Sequence, residues 1–90
     1  MKFPNVYKKP LRAFLAGDFY ATRKLLGLTQ AQMAEQLDID PRSYSALEGG
    51  EYLCSTRVFL WYMLRCKEDP AEFIRAIEAF LTEVDGNLFQ

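Results

Sequence analysis

The stretch LTQAQMAEQLDIDPRSYSALEGGE, residues 28–51, constrains the chain most, because it starts a helix twice within a dozen residues. Thr29 and Gln32 form a capping box, in which each residue satisfies a backbone N–H that the first turn leaves without a partner. Asp40 followed by Pro41 repeats the signal, with an acidic cap and a proline whose missing N–H costs nothing at the first helical position. Apolar spacing puts Met33, Ala34 and Leu37 on one face of the first helix and Tyr44 and Leu47 on one face of the second. Gly49-Gly50 supplies a stop. The spacing therefore predicts helices over about 30–37 and 41–48, joined only by Asp38, Ile39 and Asp40. Three residues force a sharp corner rather than an antiparallel hairpin.

The rest of the chain also reads as helix, and no run alternates at period two. PLRAFLAG (10–17) predicts a short helix over 10–16, with Pro10 in its first turn and Gly17 ending it. It belongs to an N-terminal extension, residues 1–17. Asp18 then caps FYATRKLLG, with Phe19, Thr22, Leu25 and Leu26 along one side and Gly27 as the stop. Ser55 or Thr56 caps TRVFLWYMLRC, which is apolar nearly all round and needs cover from the extension or from another chain. Asp69-Pro70-Ala71-Glu72 opens a last helix with the stripe Phe73, Ile77, Phe80 and Val84, widened by Ile74 and Leu81 and ended by Gly86. The expected fold is all-α. A helical core over 18–66 is completed by a C-terminal helix within 67–90, giving five core helices after the extension.

Composition narrows the chemistry. Ninety residues, half of them hydrophobic, suffice for one small core, and the 14% aromatic content supplies much of its packing. There is no histidine, so the common acid–base and triad arrangements are absent and the chain does not read as an enzyme. Cys54 and Cys66 fall at opposite ends of a helix over 55–66, roughly 18 Å apart, beyond the ~7 Å that a disulfide spans. With no histidine, no zinc-ligand spacing exists either. No metal, cofactor or small-molecule ligand is expected. The N-terminus MKFPNVYKKP does not read as a signal peptide, and the longest apolar run, VFLWYML, is too short to span a bilayer. A soluble, cytoplasmic protein is expected.

Net charge is −1, but it is unevenly spread. Residues 1–24 carry a net +5 and residues 66–90 a net −4, so one end suits phosphates and the other repels them. Ordinary solvation of a surface explains the same charges equally well.

TRKLLGLTQAQMAEQLDIDPRSYSALEGGE resembles the phage-repressor-like helix-turn-helix domains, the Cro-like or xenobiotic-response-element (XRE) family of bacterial and phage transcriptional regulators. The likeness covers roughly 18–66 and is carried by GLTQ, the alanine that follows, and LEGG. It implies a compact five-helix repressor-like domain that binds double-stranded DNA with helix 41–48 in the major groove. It places Ala34 where two helices cross closely, and pairs Arg23 with Glu48 as a structural ion pair. The DNA-facing set it implies is Pro41, Arg42, Ser45 and Ala46, with Ser43 near the backbone, Gln30 at the start of the preceding helix, and Arg57 as a phosphate donor. Three departures stand out. Asp38 takes the turn position usually held by glycine, Glu51 stands where relatives often carry Lys or Arg, and Ala46 offers only a methyl group.

Alternative readings accompany several of these residues. Arg42 opposes the helix dipole at its position, either offset by Asp38 and Asp40 or kept to bond a guanine. Lys8, Lys9 and Arg12 either touch DNA or surround an apolar clip formed by Phe3, Val6 and Tyr7, and the interleaving favours the clip. The stripe on the last helix is core or a homodimer face. The function expected is a sequence-specific regulator, a repressor. The rival is a protein-interaction module that keeps the fold without DNA affinity.

Overall fold

A computed structural model describes residues 4–88, with side chains described for 7–86. It contains α1 (Pro4–Leu26), α2 (Gln30–Leu37), α3 (Pro41–Glu48), α4 (Thr56–Cys66) and α5 (Pro70–Leu88), and no strand among the described residues. The fold is all-α, as expected, and α2, α3 and α4 take the ranges read from their caps.

Two expected stops are not realised. The short helix over 10–16 and the separate one capped by Asp18 are a single 23-residue helix, α1. Gly17 has no positive φ, and Leu15 and Phe19 on either side of it are 5% and 1% exposed. Burial of these two side chains outweighs the roughly 1 kcal/mol that a mid-helix glycine costs. Asp18 consequently caps nothing. Its carboxylate accepts from the Tyr62 hydroxyl and from Lys67 Nζ, the latter at 3.0 Å, while Tyr62 Oη also lies 2.9 Å from Thr22 Oγ1. This polar group ties α1 to α4 and to Lys67, the residue that follows α4. At the other end of the chain, Gly86 has ordinary helical geometry and α5 continues to Leu88.

The core draws on every helix: Leu15 and Phe19 from α1, Met33, Ala34 and Leu37 from α2, Tyr44 and Leu47 from α3, Val58 and Tyr62 from α4, and Phe73 from α5. Phe19 sits at its centre. Its ring meets Tyr62 edge-on at 4.6 Å and Tyr44 at 6.2 Å, favourable geometry for aromatic quadrupoles. Ala34 is 1% exposed, and the absence of a larger side chain there lets α2 and α3 cross closely. Leu25 and Leu26, expected on the inner side of their helix, are instead exposed, because they lie in the last turn of α1 beyond the reach of this core.

Among the described residues, the extension leaves Leu60 and Leu64 on the outer side of α4 exposed. It forms the first turns of α1 and packs on α5, where Phe14 stacks on Phe80 at 4.6 Å and the Tyr7 hydroxyl donates to Asp85. Phe80 and Ile77 are thus engaged within the chain, the core reading of that stripe, although Ile74 stays exposed. The expected apolar clip includes Phe3 and Val6, which lie outside the described side chains. On α4, Leu60 and Leu64 remain exposed while Phe59, Trp61 and Met63 are half-buried. Cys54 and Cys66 are free thiols, and burial pushes both above the ordinary thiol range.

Candidate nucleic-acid interface

The corner between α2 and α3 is built by Asp38 and Asp40. Asp38 adopts the left-handed conformation, φ 58° and ψ 46°, that a glycine usually takes at this point. A short polar side chain tolerates this better than most, so the departure from the family pattern leaves the turn intact. Ile39 N–H then donates to Ala34 O at 3.1 Å and closes the end of α2. Two residues on, the Asp40 carboxylate accepts from the Ser43 N–H and the Ser43 hydroxyl, each at 2.9 Å. Those bonds hold the Asp40 carboxyl below its ordinary range. The start of α2 carries the full reciprocal box, Gln32 N–H to Thr29 Oγ1 at 3.1 Å and Thr29 N–H to Gln32 Oε1 at 2.9 Å.

The angle of α3 is set from behind by a buried ion pair. Arg23 of α1 donates from Nε and Nη2 to the two carboxylate oxygens of Glu48 at 2.8 and 2.9 Å, and from Nη1 to Leu28 O at 3.0 Å. Only 11% and 7% of the two side chains is exposed. Glu48 also accepts from the Tyr44 hydroxyl and, at 3.0 Å, from Gln30 Nε2. Burial by itself would raise the Glu48 carboxyl. The bonds from Arg23, Tyr44 and Gln30 together outweigh it and bring the carboxyl down to about 2. The Tyr44 hydroxyl is pushed above its ordinary range by burial and by the neighbouring Glu48 charge.

The outward face of α3 differs in character. Pro41, Arg42 and Ser45 are exposed and Ala46 is half-buried, and the spacings 42–45–46 and 41–45 put them on one side of the helix. Among the described residues Arg42 takes part in no salt bridge. Gln30, Ser43 and Arg57 are held differently. The amide of Gln30 is spent on Glu48, and Ser43 is turned towards its cap. Arg57 lies at the edge of the turn, 3.5 Å from the Asp38 carboxylate and 3.4 Å from Asp38 O, with both side chains largely in solvent. Tyr52 escapes any reading of the sequence. Its hydroxyl donates to Ser43 O at 3.0 Å and folds the loop after α3 back along that helix. No cap, period or motif marks it beforehand, since it depends on the reversal at Gly50, φ 73°.

Two short helices with a three-residue corner, the second exposed along one face and braced from behind, have a match among known families. The family model described as a helix-turn-helix domain matches residues 19–78, two thirds of the chain. The chain belongs to the helix-turn-helix domain family. No curated protein and no solved structure matches it. In this helix-turn-helix domain α2 and α3 form the motif proper, and α3 is the element that such motifs present to DNA. The match runs through α4 into α5, so both belong to the family unit. Among the described residues no group of His, Cys, Asp and Glu is arranged to hold a metal ion, and no helix is long and apolar enough to cross a membrane.

Proposed function

We propose that this helix-turn-helix domain is a sequence-specific, DNA-binding transcriptional regulator of the XRE type, and that it acts as a repressor by occupying its site. The observation that carries the reading is Arg42, an exposed guanidinium outside any salt bridge in the first turn of α3. On the same face stand Pro41, Ser45 and Ala46. Arg42 donates two hydrogen bonds to a guanine, Ser45 reaches a neighbouring base edge, and the Ala46 methyl packs against thymine. Pro41 faces the groove with them, and Ser43 lies near the backbone. Gln30 contributes its N–H at the start of α2, where the helix dipole favours a phosphate, rather than its amide. One long polar side chain per recognition helix gives modest affinity at one half-site, so a homodimer reading two half-sites fits the chemistry.

The exposed acids Asp38, Asp40 and Glu51 favour a second reading, in which the fold serves protein contact and has no affinity for DNA. Fluorescence anisotropy with a random-sequence duplex over a range of salt concentrations separates the two. The DNA reading expects binding at low salt that falls steeply as counterions compete. Absence of binding at low salt would sink it.

Asp38 limits this affinity by holding Arg57. Asp38→Asn keeps a residue that tolerates the left-handed turn and removes the charge that competes with phosphate. It is expected to raise duplex affinity about two- to fivefold, the scale of an exposed ion pair. A fall in affinity at unchanged thermal stability would show that Arg57 is not a phosphate contact.

A further inference from the structure

Leu25, in the last turn of α1, is 86% exposed, and Leu26 beside it is 45% exposed. Both line a groove of about 1150 Å³ between the end of α1, the end of α4 and the start of α5, whose lining includes Phe73 and Ala76 of α5. Small-molecule sites usually enclose about 300–1000 Å³. An opening of this size with two leucines turned to solvent suits a length of polypeptide better than a metabolite.

The charges at the groove specify what kind of polypeptide. Glu68, Asp69 and Glu72 line it, all three are exposed, and none forms a salt bridge among the described residues. The lining holds four acids, Asp18 with these three, against two cations, Arg65 and Lys67, a net charge of −2. Lys67 Nζ lies 3.0 Å from the Asp18 carboxylate and 4.5 Å from the centre of the Phe73 ring. Arg65 stacks 3.8 Å above Trp61 and donates to Gln36 O at 2.8 Å. Asp69 accepts from the Glu72 N–H at the start of α5, a bond that leaves its negative charge in place. The groove thus combines apolar walls with a surplus of negative charge, which repels phosphate and attracts cations.

We infer that the groove docks a basic amphipathic helix of another protein. Apolar side chains spaced three and four residues apart on that helix meet Leu25, Leu26 and Ala76, and flanking lysines or arginines meet Glu68, Asp69 and Glu72. The docking is independent of DNA binding, because none of these residues belongs to the outward face of α3.

The test uses two synthetic helical peptides of about three turns, with leucines at the same three- and four-residue spacing and either lysine or glutamate elsewhere. Each is titrated into the isotope-labelled full chain and followed by NMR. The lysine peptide is expected to bind and to shift Leu25, Leu26 and Ala76, more weakly as salt rises, while the glutamate peptide does not bind. Leu25→Asp and the double variant Glu68→Lys/Glu72→Lys are each expected to weaken binding by at least about tenfold, or about 1.4 kcal/mol. Circular dichroism checks that each variant folds, and the double variant, confined to exposed positions, stands in if Leu25→Asp does not. Equal binding of both peptides, shifts confined to other surfaces, or unchanged affinity in the folded variants would overturn the inference. So would sedimentation of the wild type as a dimer that Leu25→Asp converts to a monomer.

Discussion

Glu48→Ala is expected to lower the stability of the folded domain by about 3 kcal/mol, at the lower end of what breaking a buried ion pair costs. The substitution leaves the Arg23 guanidinium inside the protein with only Leu28 O as acceptor, and leaves the Tyr44 hydroxyl and the Gln30 amide without their carboxylate. For a domain of this size the melting temperature should drop on the order of 15 °C. A loss below about 1 kcal/mol would mean that the pair behaves as an exposed one. The same carboxylate gives stability a pH signature. In the folded chain it titrates at about 2, against 4.5 ordinarily, so the unfolded chain takes up the proton first as pH falls. Its contribution is complete above about pH 4.5 and is lost between there and pH 2. Urea melts across that window should show wild type losing stability more steeply than Glu48→Gln.

Arg42→Ala has the second large effect, and of a different kind. A bidentate contact to guanine discriminates by about 1–3 kcal/mol, so affinity for the preferred duplex should fall roughly 5- to 150-fold at each half-site. Affinity for random duplex should fall much less. Because Arg42 is exposed and carries a positive charge in the first turn of α3, removing it should leave stability unchanged or raise it by about 0.3–1 kcal/mol. Weaker sequence-specific binding without loss of stability is the combination expected of a base-reading residue. If affinity for preferred and random duplexes falls by the same factor, Arg42 meets a phosphate instead.

The helices were legible in the sequence wherever a side chain closes a backbone hydrogen bond within three or four residues. Thr29, Asp40 and Ser55 cap α2, α3 and α4 at the positions their sequence neighbours indicate. Glycine stops misled, as did the helix starts read at Pro10 and Asp18. Gly27 and Gly50 take positive φ and end or turn the chain, whereas Gly17 and Gly86 lie inside continuous helices. The difference lies in tertiary burial of Leu15 and Phe19, which no local pattern records. The Arg23–Glu48 pair came from family likeness, because nothing within 25 residues of sequence links the two. The exposure of Arg42 was legible, since it follows from its place in the first turn of α3. The engagement of the Gln30 side chain was not, because a buried carboxylate on a different helix withdraws it from the surface. The Asp18–Tyr62–Lys67 group and the Tyr52 contact to Ser43 likewise bring together residues that only the packed helices make neighbours.

The central claim is that α3 reads bases, and selection from a randomised duplex pool tests it most directly. Wild type and Arg42→Ala are taken through the same rounds at one fixed salt concentration, and the retained sequences are read. Wild type is expected to enrich a motif containing guanine, and Arg42→Ala the same motif with that one position relaxed. Retention of duplex without any enriched motif, or an identical motif from both proteins, would contradict it.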